Sequence, residues 1–302
     1  MNQPSPAIVP QSAVRRLPRW ALFLLCAAYI LPGFVGRNPW RGADMAALGY
    51  MQELAGGHTP WMAPLLGGLA PETDGLLPYW LGAWAIQLTT PWAAPELAAR
   101  IPFVLLVALT LLATWYGIYA LARSPGAQPV AFAFGGEAQP ADYARAMADG
   151  GLLALLACLG LAQPTHETTS YLVQLCCTTL VFYGLATGPQ SKTLAATALA
   201  AGMVGLVLSG APTLALLYAL GAAALYLSDT HAEPSERRHT VQWSVLALAS
   251  ALIAAALTWW LDAWRWKLAW PQELGKDWLD LARLLVWFAW PAWPLALWTL
   301  WR

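Results

Sequence analysis

Asp44 follows Arg37 and Arg41, and a third arginine, Arg100, closes the same polar segment. A carboxylate beside a hydroxyl can take its proton as a general base. A guanidinium offers a planar fork to phosphate oxygens and keeps its charge at a low-dielectric boundary. Together these side chains supply a proton acceptor and a cationic seat for an anion. Each also has a plainer reading. Asp44 stands where a helix begins, and a capping carboxylate would accept backbone N–H groups there. Glu96 and Arg100 are four apart, the spacing of a helix-surface ion pair. Arg37 and Arg41 would equally anchor a loop to anionic headgroups.

The elements that must position these residues follow from composition. Of 302 residues, 59% are apolar and 11% charged, less than half the roughly 25% that coats a soluble domain. A formal net charge of zero supplies no field for a polyanion, so a nucleic-acid partner is excluded along with an ordinary soluble enzyme. What remains is an all-α polytopic membrane bundle. Apolar runs at 20–35, 101–121, 241–261 and 284–301, with shorter ones at 144–162, 171–186, 193–208 and 213–227, predict about eight crossings. Pro291 and Pro294 interrupt the last long run, and Ser209-Gly210-Ala211-Pro212 turns the chain between two short ones. Cys26, Cys158, Cys176 and Cys177 lie inside apolar runs and read as small hydrophobes.

With the N-terminus in the cytoplasm, nine Lys and Arg fall inside and seven outside. The short outer loops 163–170 and 209–212 carry none, which favours that orientation. The organisation is then a cytoplasmic tail over 1–19 and a transmembrane domain over 20–302. The domain holds a first periplasmic loop at 36–100, a cytoplasmic loop at 123–149 and an interfacial periplasmic segment at 262–283. Residues 1–13 are polar and proline-rich and are expected to be disordered. Eleven of the 19 tryptophans lie between Trp259 and Trp301, as in an interfacial aromatic belt, with a lipid or sugar platform as the sharper alternative.

The first loop is long enough to carry function. Ala47, Met51, Leu54 and Ala55 share one face of a helix beginning near Asp44, and a second helix beginning near Leu76 carries Tyr79, Trp80 and Trp84. Pro95-Glu96 then opens the helix that enters the membrane at Ile101. His166-Glu167 sits in a short outer loop. It is not the H-E-x-x-H zinc motif, because position 170 is Ser170, and it reads most simply as a polar loop tip.

At these residues the chain resembles the polyprenyl-phosphate-sugar-dependent glycosyltransferases of the GT-C superfamily, the group of bacterial aminoarabinose transferases and protein O-mannosyltransferases. Asp44 with the following Met51–Leu54, Trp61 and Pro64 resembles the acidic motif and helix of that family. Glu72 through Tyr79-Trp80 resembles its E-K-P-P-x-x-Y-W stretch, without the lysine, and Ala98-Ala99-Arg100-Ile101-Pro102 its Arg-Leu-Pro. The resemblance covers residues 18–190 and implies the N-terminal part of a longer protein in the bacterial inner membrane.

The family likeness implies a transferase moving a sugar from a polyprenyl-phosphate donor to a hydroxyl of a glycolipid, glycan or protein on the periplasmic face. Asp44 would be the base, and Arg37, Arg41 and Arg100 would bind the donor phosphate. Glu72, Asp74, Tyr79, Trp80, His166 and Glu167 would contact acceptor or sugar, with His166 and Glu167 also able to help hold a divalent metal. A non-catalytic relative that binds lipid-linked sugar or scaffolds a complex is the alternative. A transporter or flippase fits less well, because the crossings carry almost no ionisable residues.

Overall fold

The computed structural model describes residues 8–39, 42–71, 75–188, 191–228, 234–261 and 274–301. Among these residues the regular structure is all helical. Extended pairing is limited to two isolated bridges, Pro10 with Glu137 and Leu66 with Leu69.

Helix α1 (Arg19–Phe34) starts after Pro18 and stops where Val35 turns extended and Gly36 takes φ +72°, a conformation natural to glycine. Two helices of the first loop follow, α2 (Ala43–Ala55) and α3 (Leu77–Thr89), as the periodicity predicts. Ala47, Met51 and Leu54 of α2 are buried with Ala83 and Ile86 of α3. The short α4 (Pro95–Ala98) leads into α5 (Ile101–Ala122), with proline in the first turn of each.

The remaining helices are α6 (Pro140–Ala157), α7 (Ser170–Thr187), α8 (Lys192–Leu208), α9 (Pro212–Ser228), α10 (Pro234–Trp260), α11 (Leu274–Phe288) and α12 (Ala292–Trp301). Small residues let neighbouring backbones approach. A Cβ on Gly202 of α8 would lie 2.7 Å from the Cys177 carbonyl oxygen of α7, the close packing that helices without a hydrophobic driving force require.

Among the described residues, two helices are long and apolar enough to cross a membrane: Pro95–Ala122, which joins α4 to α5, and α7. The number rises to four if each bent pair is one span. One pair is α6 with Leu159–His166, bent by 62°; the other is Trp278–Phe288 with Ala292–Trp298, bent by 85°. The other apolar runs of the sequence form shorter helices, including α1 and α8. The first break falls at Cys158, whose backbone is extended, and the second at 289–291, which includes Pro291.

Two expectations are corrected at the α6 end of the bundle. Part of the expected cytoplasmic loop 123–149 is helical, since α6 begins at Pro140 with Asp142 in its first turn. The stretch of the N-terminal tail from residue 8 is ordered and strapped along that start. The Ala138 amide donates to the Val9 carbonyl at 2.9 Å, Arg16 pairs with Asp142, and the Leu17 amide donates to Asp149 Oδ2 at 3.0 Å. Asp149 is buried, and its Oδ1 accepts the Trp115 indole N–H at 2.8 Å. Polar composition marks a segment that cannot build its own core, but here it borrows partners 120 or more residues away. Residues 262–273 of the expected interfacial segment lie outside the described residues; α11, which follows, exposes Trp278, Leu281 and Leu285.

Candidate functional site

The site forms where the connection between α1 and α2 meets the connection between α6 and α7. Gly42 occupies the N-cap of α2, and no side chain caps the helix. Asp44, one residue into the first turn, is 1% exposed. Its carboxylate reaches across to the segment before α7. There Oδ1 accepts the Thr168 amide at 2.8 Å and the Thr168 hydroxyl at 2.7 Å. Oδ2 faces Arg37 Nη2 at 3.4 Å. The capping reading of Asp44 is therefore set aside, because the carboxylate joins two distant segments.

Arg37 also donates through Nη2 to the His166 carbonyl oxygen at 2.7 Å. Arg100, 6% exposed, donates through Nη1 to the carbonyl oxygens of Phe34, at 3.2 Å, and of Arg37. Asp44, Arg37 and Glu96 are the charges close enough to act on it. Glu96 itself is exposed, and among the described residues no ion pair joins it to Arg100. The i,i+4 pairing is thus replaced by a guanidinium that staples the end of α1 to the start of α5.

His166-Glu167 is not a solvated loop tip. The His166 ring packs against Tyr29 and Phe34, with ring centroids 4.9 and 5.6 Å away. Its Nε2 lies 2.8 Å from the Tyr29 carbonyl oxygen and its Nδ1 2.5 Å from that of Ala162. Glu167 is buried, and its Oε1 accepts Gln163 Nε2 at 2.8 Å. Among the described residues no three His, Cys, Asp or Glu side chains are grouped to hold a metal ion. With both ring nitrogens against carbonyls, His166 presents the site with its main chain rather than its ring.

Of the other predicted residues, Arg41, Glu72 and Asp74 lie outside the described residues. Tyr79 is buried beside Tyr50, ring centroids 5.2 Å apart, and so packs in the core. Trp80 is half-buried and donates its indole N–H to the Trp61 carbonyl at 2.7 Å. Trp61 and Trp84 stack at 6.0 Å, with Trp84 exposed. The structure thus gathers Arg37, Asp44, Arg100 and the 166–168 segment, while Tyr79 and Trp80 of α3 are engaged with Tyr50 and Trp61.

No protein-family model, curated protein or solved structure matches the chain.

Sequence reasoning missed Thr168. The signal was the run Thr165-His166-Glu167-Thr168-Thr169-Ser170, hydroxyl-rich and placed immediately before an apolar helix. Chemically, Arg37 and Arg100 face the carboxylate of Asp44, with Glu167 buried in the neighbouring segment and Glu96 close to Arg100. Arg100 Nη2 and Thr169 Oγ1 are buried with no hydrogen-bond partner among the described residues, an uncommon state for such groups. The unspent donor of a buried guanidinium is suited to receive an oxygen of an anion.

Proposed function

We propose that this chain is a membrane glycosyltransferase that moves a sugar from a polyprenyl-phosphate donor to an acceptor hydroxyl. The observation that carries the reading is the grouping of a buried carboxylate, Asp44, with two guanidinium groups, the buried Arg100 and the half-buried Arg37. In the transfer, the acceptor O–H gives its proton to the Asp44 carboxylate while its oxygen bonds to the sugar's anomeric carbon. The bond from that carbon to the phosphate oxygen breaks, and its electron pair leaves with the lipid phosphate. Arg37 and Arg100 stabilise the charge that gathers there. Arg41 would add to that cationic set, and Trp80 with Trp84 offers ring faces to a sugar.

In this reading α1, α5, α6 with its bent extension, α7, α8, α9, α10 and the α11–α12 pair make eight crossings of the bacterial inner membrane. The N-terminus lies in the cytoplasm and the Asp44 cluster at the periplasmic face. Short helices serve as crossings when neighbours cover their ends or the bilayer thins locally. Glu72 and Asp74 belong to the same loop as acceptor contacts.

Binding of lipid-linked sugar without transfer is the second reading, favoured by the engagement of both Asp44 oxygens by Thr168 and Arg37. Proteoliposomes carrying sugar-labelled mannosyl-phosphoundecaprenol and a crude envelope extract as acceptor distinguish the two. Transfer is expected from the wild type and a ~10²–10⁴-fold loss from Asp44→Asn. Donor retention with no transfer by either protein selects the binding reading.

A further inference from the structure

We propose that Thr168 is a positioning residue for Asp44, which rests on the reading of Asp44 as the base. One residue supplies both donors to the same carboxylate oxygen, the N–H at 2.8 Å and the O–H at 2.7 Å. Both partners are buried, Asp44 at 1% and Thr168 at 4% exposure, so water does not compete for the bonds. Two bonds to one oxygen fix the carboxylate's rotation about its Cβ–Cγ axis and turn Oδ2 toward Arg37. A base whose lone pairs are held in one plane meets its hydroxyl in one geometry, and misplacement by about 1 Å can cost ~10²-fold in rate.

The same short segment sets the cation. Arg37 is held by the main-chain oxygen of His166, two residues before Thr168. The His166 ring is itself wedged against α1, where a Cβ on Gly33 would lie 1.8 Å from its Cδ2. Residues 166–168 therefore hold the carboxylate and the guanidinium at a fixed mutual distance, from a backbone locked to α1. Nothing in the chemistry of a loop threonine predicts this; the contact spans 124 positions.

The test uses Thr168→Val, which keeps the amide and the volume but removes the hydroxyl, and Thr168→Ser, which keeps both donors. Asp44→Asn serves as the reference. Full-length proteins in proteoliposomes with sugar-labelled mannosyl-phosphoundecaprenol and a crude envelope extract as acceptor are assayed for release of the labelled sugar from the lipid phosphate at limiting and saturating donor. Thr168→Val is expected to lower kcat roughly ten- to a hundredfold with KM for the donor little changed. Thr168→Ser should restore most of it, and both should melt near the wild-type temperature. A Thr168→Val protein with wild-type kcat beside an inactive Asp44→Asn overturns the positioning role and leaves the base standing. Equal loss in Val and Ser with a lowered melting temperature overturns it as well, by showing a structural role only. Wild-type turnover by Asp44→Asn, or no release by the wild type, removes the base reading and this proposal with it.

Discussion

The Leu17 amide donates to the buried Asp149 carboxylate at 3.0 Å and so ties the N-terminal arm to the middle of α6. Asp149 lies 3% exposed and also accepts the Trp115 indole of α5, so it joins three segments at the end of the bundle remote from Asp44. Replacing it with alanine takes the acceptor from two half-buried N–H donors. Asp149→Ala is expected to lower stability by roughly 1–3 kcal/mol. It should also release residues 9–17 to proteolysis in detergent, while Asp142→Ala, whose ion pair with Arg16 is largely exposed, should change little. Equal protection of the arm in wild type and Asp149→Ala would refute the role of this contact.

The helices of the first loop were legible because their signals are local. Ala47, Met51 and Leu54 repeat at helical spacing, and Pro95 marks a first helical turn. The partners of Asp44 were not legible, because a main-chain amide and a threonine hydroxyl carry no motif and lie 124 residues away. The Glu96–Arg100 spacing misled for a related reason. An i,i+4 pair is a weak surface interaction, and carbonyl oxygens of the α1–α2 connection outcompete it once Arg100 is buried. Helix length was overestimated where apolar composition continues through a bend, as it does past Cys158.

Gly33 and His166 occupy one volume. A methyl at Gly33 would overlap the imidazole, whose two nitrogens already face the Tyr29 and Ala162 carbonyls and leave the ring little freedom. Gly33→Ala is expected to cost about 1–3 kcal/mol as overpacking. In a His166→Ala background the same substitution should cost much less, because the clashing ring is gone. Thermal unfolding of the four proteins gives the coupling directly. Additive penalties would mean that the ring and α1 are not in contact.

The Asp44 cluster and the N-terminal arm sit at opposite ends of α1, which fixes a topology test. A reporter active only in the periplasm and fused after Gly68 or Gly275 is expected to be active. Fusions after Ala138 or Pro234 should be silent if the segments richer in arginine and lysine face the cytoplasm, as the proposed orientation requires. Activity at Ala138 with silence at Gly68 would invert the orientation and move the candidate site to the cytoplasmic face.

Asp44 lends itself to a measurement that needs no substrate. Its carboxylate is the acceptor for the Thr168 amide and lies against Arg37, so removing it should loosen the chain at a distance as well as locally. Asp44→Ala is expected to cost about 2–4 kcal/mol, because it strands a buried amide, a buried hydroxyl and a guanidinium. Asp44→Asn keeps an oxygen for Thr168 and should cost less, although its amide group would face the Arg37 donors. In hydrogen exchange, Asp44→Ala should therefore accelerate peptides covering 163–169 by at least tenfold, with Asp44→Asn in between. If exchange quickens only at the first turn of α2, Asp44 acts on its own helix alone and the clasp between the two connections does not exist.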